Sequence, residues 1–270
     1  MTDAVMPARL SSEELDELLF AAHCLESDSF ASRATNLLGR QVAAFGRALP
    51  APARKAVTAA TERALRVALR FALRTIDKDA PAKAAKGLHK AAAAAAGAVG
   101  GAFGMSSMVI ELPVSTTILL RSIAQIAREE GEDLHRPDAA LACIEVFALG
   151  SDGSREAAVE GAYFAARGAL ARSVSEGARF VAHRGVVGET APVLVRLISQ
   201  IAARFGVIVS EKFAAQAVPV LGAVGGAALN VAFAEHFQTV ARGHFIVRRL
   251  ERRHGEDVVR FEYRRLRHQL

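Results

Sequence analysis

Two long stretches of this chain carry no charge: the twenty residues from Ala91 to Ile110 and the twenty-two from Phe213 to Ala234. No other feature limits the fold as much. A run of that length in an apolar setting must satisfy its own backbone hydrogen bonds, and a helix does so internally. Each stretch also contains the same hexapeptide, Gly97-Ala98-Val99-Gly100-Gly101-Ala102 and Gly222-Ala223-Val224-Gly225-Gly226-Ala227. Glycines three and four residues apart let helix backbones approach closely. Two readings follow: helices that pack together at the centre of a bundle, or a coincidental echo in a chain rich in alanine and glycine. Both segments reach the ~20 residues needed to cross a bilayer, but alanine and glycine add little to insertion. Pro219, Gln216 and Asn230 weaken that reading further. Burial in a bundle core and reversible membrane insertion both stay open.

The rest of the chain reads as helix. Alanine dominates the apolar residues, Trp is absent and aromatics are 6% of the 270 residues, a composition suited to close helix packing. Ser11 or Ser12 with Glu14 signals a capped helix over about 12–26, and a second helix is expected at 29–48. After Pro50 and Pro52 a third runs to Thr75. Pro113 should bend or break a helix near Glu111, with Ser115 or Thr116 capping the next and Gly131 stopping it. Further helices are expected at Pro137–Leu149, closed by Gly150, at Ser154 to about Val181, and near 191–205. Pro219 fits the first turn of one that continues to about Arg253, with a short basic helix after Gly255. Val207-Ile208-Val209 is the best strand candidate and is too short to make a sheet. The fold class is all-α: a multi-helix bundle with two central Ala/Gly-rich segments, residues 1–50 forming an N-terminal helical segment ahead of a domain at 51–270.

The net charge of +6 is unevenly placed. Residues 1–50 hold seven acids against four arginines, and residues 242–270 hold nine arginines against four acids. A basic end attracts acidic partners such as phospholipid headgroups. Arg248, Arg249, Arg252 and Arg253 are candidates for that contact. So are Arg63, Arg66, Arg70 and Arg74, which share one helical face while Leu65, Leu69 and Leu73 line another. A solvated helix face is the plainer reading of both sets. Specific nucleic-acid binding is not supported, since only Phe261 and Tyr263 interleave with the basic tail. The N-terminus lacks an apolar core of the secretory type, and Cys24 and Cys143 stand alone. Both point to a reducing, cytoplasmic setting, at most peripheral to or partly inserted in the inner membrane.

Glu111 is the only charge between Lys90 and Arg121 and must be paired, neutralised or liganded. Arg121 or Arg242 could pair with it. A second cluster lies on one late helix: Asn230, Phe237 and His244 recur every seven residues on one face, and Glu235 and Arg242 on another, with His236 and Gln238 between. Glu111, His236 and His244 are the candidate catalytic groups. Together with Arg121, Asn230, Gln238 and Arg242 they are also the candidate binding residues. No paired Glu-x-x-His or HExxH occurs, so no metal site is assigned. No nucleophile elbow, P-loop or dinucleotide fingerprint is present, so no cofactor is assigned either.

These residues carry a resemblance. The run Met105 to Thr117 (MSSMVIELPVSTT) followed by Arg121 to Ala124 resembles the central block of EcsC-family proteins, as does Glu145 to Gly150. The most specific part is Pro219 to Asn230 (PVLGAVGGAALN), then His236-Phe237-Gln238 and Ala241 to Phe245. The resemblance spans about residues 60 to 265. It implies a bacterial protein linked, through the neighbourhood that gave the family its name, to ABC-type transport or secretion. It names no reaction. Three functions are then to be weighed: a membrane-associated accessory protein, a hydrolase-type enzyme using a buried Glu/His pocket, and a soluble helical scaffold.

Overall fold

The computed structural model describes residues 10–26, 30, 51–75, 108–150, 161–184, 191–216 and 222–268. Of these 92% are helical and none is in a strand, so the chain is all-α. Eight helices are described: α1 (Ser12–Glu26), α2 (Ala51–Thr75), α3 (Met108–Glu129), α4 (Pro137–Leu149), α5 (Ala162–Arg184), α6 (Pro192–Gln216), α7 (Gly222–His254) and α8 (Glu256–Arg267). The expected helix at 29–48, Phe30 apart, the turn at Pro219 and the first Gly-Ala-Val-Gly-Gly-Ala copy lie outside the described residues.

Local chemistry sets several helix ends. Glu14 N–H donates to Ser11 Oγ at 3.2 Å, and Ser11 N–H donates to Glu14 Oε2 at 2.9 Å, a reciprocal capping box that starts α1. Gly131, at φ +77°, ends α3: its N–H reaches Arg128 O, and Glu132 N–H reaches Ala127 O. That pair of bonds is a Schellman motif, and glycine supplies the left-handed backbone it needs. Gly255 at φ +89° separates α7 from α8.

Three expectations are corrected. Pro113 sits inside α3 without ending it, and Ser115 and Thr116 are buried helix-interior residues rather than caps. A proline disturbs the carbonyl four residues back, here Val109 in the first turn of α3. The burial of Leu112, Leu119, Leu120 and Ile123 holds the rest of the helix. The helix expected from Ser154 begins at Ala162 as described, because Gly161 stands at φ +90° before it. The helix expected to end near 205 runs on to Gln216, carrying Val207-Ile208-Val209 with it.

α4 is the hub. Its residues Ala139 to Leu149 are all buried, with α2, α3, α5, α6 and α7 around it. A helix apolar on every side must be enclosed by others, and its four alanines allow close approach. The second uncharged stretch is also largely interior in its described part: Phe213, Ala214, Ala215, Leu229, Ala232, Phe233 and Ala234 are buried.

α1 runs antiparallel to α7, with Glu14 beside His254, Glu17 beside Arg249, and Ala21 and Cys24 against Gly243. A Cβ at Gly243 would lie 2.7 Å from Leu25 Cγ and 2.9 Å from the Ala21 carbonyl oxygen, so the backbone itself would have to move. Gly243→Val is expected to pry α1 off α7 and lower stability by about 1–3 kcal/mol, read as a shift in the urea midpoint.

Candidate functional site

The charged residues of the C-terminal end of α7 pair with acids of the same chain. Arg248 holds Glu132 through Nε (2.7 Å) and Nη2 (3.2 Å), and Arg252 also pairs with Glu132. Arg249 bridges Glu17 and Glu130, and Arg253 and His254 meet Glu14. Hydrogen bonds from His254 and Ser11 lower the Glu14 carboxyl to about 2. All four arginines proposed for an outside acidic surface thus have acidic partners within the chain, Arg248 and Arg249 largely covered and Arg252 and Arg253 still exposed. Here the basic end of the chain is matched largely by its own acidic α1 and by the turn at 130–132.

Deeper along the same helix is a buried polar network. His244 Nδ1 lies 2.9 Å from the Tyr163 hydroxyl, and both residues are fully enclosed. Burial, reinforced by Arg167 and Arg248, pushes His244 well below its usual range, so the ring is neutral. Arg167 Nη1 donates to the Tyr163 oxygen at 3.4 Å, and the other ring nitrogen of His244, Nε2, has no hydrogen bond among the described residues. Arg167 also grips Glu251 with two bonds of 2.7 and 2.8 Å.

Glu145, on α4, is 3% exposed and has no hydrogen bond among the described residues, since both nearby arginines are taken by other carboxylates. Burial raises its carboxyl to about 7, against the opposing pull of Arg167 and Arg248. Burial likewise pushes the Cys143 thiol up to about 12, which leaves it unreactive. Glu145 opens onto a cleft of about 540 Å³ between α4 and α5, with Arg248 at its inner end. The two helices are antiparallel, because Gly177 faces Leu141 while Arg167 faces Glu145.

The raised Glu145 carboxyl has a consequence for stability. Below its usual 4.5 it is neutral in both folded and unfolded chain. As pH rises towards 7 the unfolded chain ionises it and the folded chain resists, so stability falls across that window and stays lower above it. The shift corresponds to about 3 kcal/mol. Glu145→Gln is expected to remove this share of the loss between pH 5 and 8, measured as unfolding midpoints of the two proteins at both pH values.

Glu111 is paired with neither Arg121 nor Arg242. Its Oε1 accepts from Lys212 Nζ at 2.8 Å, and both side chains are buried. Burial pulls Lys212 downward, with Glu111 opposing. The ammonium also sits 4.8 Å from the Phe233 ring centre and 5.4 Å from that of Phe213. Glu111 Oε2 has no hydrogen bond among the described residues.

The other candidates go to separate places. His236 Nε2–H donates to the Gly150 carbonyl at 2.9 Å, at the end of α4. Gln238 donates to Ser122 Oγ at 2.9 Å, tying α7 to α3. Asn230 is buried on the same face as Phe237 and His244, as their spacing predicts. Arg121 stacks on Phe71 at 4.8 Å, and Arg242 is exposed. Glu111, His236 and His244 thus each have a different partner. The carboxyl that does open onto a cleft, Glu145, was missed from sequence. Its signal was a single acid in a helix otherwise apolar from Ala139 to Leu149. Among the described residues no cluster of three or more metal-ligating side chains occurs.

Two outer faces complete the picture. On α2, Arg63, Arg66 and Arg70 are exposed, with Arg66 bonded to Glu62 at 3.0 Å, while Leu65 and Leu69 are buried; the Arg74 side chain lies outside the described residues. α2 packs beside α6. The stretch Pro192–Ala215 of α6 is long and apolar enough to cross a membrane by length and composition, with mean hydropathy 1.7. Only 44% of its most apolar segment is buried in the bundle, and Val195 and Val207 are 38% and 51% exposed.

A family model described as the EcsC protein family matches residues 25–250. No curated protein and no solved structure matches the chain.

Proposed function

Since the chain belongs to the EcsC protein family, we propose that it is a membrane-associated accessory protein, non-enzymatic, serving a transport or secretion system from the cytoplasmic face of the inner membrane. The carrying observation is the partly uncovered apolar face of α6, where Val195, Ser199, Ala203 and Val207 recur at four-residue steps and are all exposed. This strip lies on a helix whose length and mean hydropathy of 1.7 suit a bilayer and of whose most apolar segment only 44% is covered. The neighbouring exposed arginines of α2 supply the attraction to anionic headgroups that a peripheral helix needs. Arg248 and Arg249 of α7 are largely covered and held by Glu17, Glu130 and Glu132, which leaves them less available for this contact.

Flotation with phosphatidylcholine vesicles, with and without phosphatidylglycerol, tests this. The protein is expected to float with the anionic vesicles at low salt and to be largely released at high salt, where surface charges are screened. Replacing Arg63, Arg66 and Arg70 together by serine should abolish the salt-sensitive share. A protein that stays at the bottom of the gradient with anionic vesicles at low salt overturns the proposal.

A further inference from the structure

The cleft between α4 and α5 has the parts of a ligand site that the membrane reading does not use. Its inner end holds Glu145, Arg167 and Arg248. Arg167 gives Nη1 and Nη2 to Glu251, and Arg248 gives Nε and Nη2 to Glu132. Arg167 Nε and Arg248 Nη1 take no part in these bonds, and the Glu145 carboxyl has no hydrogen bond among the described residues. Two guanidinium groups and a carboxyl with no protein partner thus line one end of an open cleft, where a polar head can take the place of solvating water. Beyond them one face of α5 continues as Ala171, Val174 and Ala178, an apolar wall reaching the mouth at Ala182. From Arg167 to Ala178 that wall is about 16 Å long at ~1.5 Å per residue. The mouth carries Arg179, exposed and without an ion-pair partner among the described residues, and Arg136, which is taken by Asp138 at 3.1 Å.

We infer that this cleft binds an amphiphile with a single acidic head and an apolar tail: the head meets Arg167 and Arg248 beside the Glu145 carboxyl, and the tail runs along Ala171, Val174 and Ala178. Two guanidinium groups and one neutral acid form a charge-assisted set for an oxyanion. A second carboxylate at the same point would repel it. The charged groups acting on Glu145 are Arg167 of α5 and Arg248 and Glu251 of α7; Asp138 lies about two turns away on its own helix and is neutralised by Arg136. Binding therefore requires Glu145 to hold its proton, and affinity falls as pH rises through neutrality. The head can be the carboxylate or phosphate of a free amphiphile or of a membrane lipid.

The test uses decanesulfonate, which stays anionic at every pH used, so that only the protein titrates. The chain has no tryptophan, and Ala182→Trp at the exposed mouth gives a reporter. Saturable fluorescence change is expected at pH 6, with affinity about tenfold weaker at pH 8. In the same background Glu145→Gln, which keeps a donor and removes the titration, should bind within about threefold of the parent at pH 6 and lose nothing by pH 8. Ala171→Phe, which fills the wall, should abolish binding while the helical circular dichroism is kept. If that variant fails to fold, the flat pH profile of Glu145→Gln still decides. Sulfate alone should not compete; competition by sulfate at equal concentration would show a bare anion site and overturn the tail. Phosphatidylglycerol vesicles that compete with decanesulfonate identify a membrane source, and vesicles that do not identify a free amphiphile. Absence of saturable binding at pH 6, a Glu145→Gln protein whose affinity still falls tenfold by pH 8, or a folded Ala171→Phe protein that binds like the parent overturns the inference. Vesicle flotation through α2 and α6 is read separately, with cleft variants as well as the parent, so either proposal can fail alone.

Discussion

Replacing Lys212 by methionine is expected to lower the stability of this protein by about 3–5 kcal/mol. The ammonium is the one hydrogen-bond partner of Glu111 among the described residues, at 2.8 Å, and both groups are enclosed between α3 and α6. Removing it strands a carboxylate in apolar surroundings, with Phe213 and Phe233 around the vacated position. Glu111→Leu together with Lys212→Met is expected to recover the loss or exceed it, because a buried ion pair must offset its own desolvation and a well-packed apolar pair need not. Urea unfolding of the two singles and the double measures this directly. A Lys212→Met protein as stable as the parent would mean that Glu111 finds another partner or reaches water.

Phe147→Ala should be of similar size, about 3–5 kcal/mol. Phe147 is fully buried near the C-terminal end of α4, with ring centres 4.9 Å from Phe205 and 5.4 Å from Phe237. Those two rings lie on α6 and α7, and Phe233 joins them at 5.1 Å from Phe237. The truncation therefore opens a cavity where three helices meet, which the surrounding backbones can collapse into only in part. Phe147→Leu keeps most of the volume and should lose under about 1.5 kcal/mol. Thermal or urea unfolding of the pair separates the cavity from the loss of an aromatic contact.

What was legible in the sequence follows the range of the interaction. Ser11 with Glu14, Gly131, Gly150 and Gly255 mark helix ends through contacts within a few residues, and the structure has those ends. Gly161 acts just as locally, but its left-handed backbone looked no different in sequence from a glycine tolerated inside a helix. Glu111 could be singled out because it stands alone in a long uncharged run. Its partner could not: Lys212 lies 101 residues on, immediately before the second uncharged stretch. The structure shows that boundary charge folded inward onto the isolated one. The opposite charges of the two chain ends were equally visible, yet nothing in one dimension says that α1 runs antiparallel along α7 and meets those arginines itself. Glu145 carried the same signal as Glu111, a lone acid among apolar neighbours, over a shorter and therefore less conspicuous run.

The central functional claim is that the outer face of α6 meets lipid. The direct measurement is tryptophan fluorescence of Val207→Trp, a site 51% exposed in a chain with no tryptophan of its own. It is read in phosphatidylglycerol vesicles whose acyl chains carry bromine as a contact quencher. The account predicts a blue-shifted emission that the brominated chains quench, with both effects lost at high salt. Emission that keeps its position in water, unquenched, while the protein floats with the same vesicles would contradict it and would place the membrane contact elsewhere on the bundle.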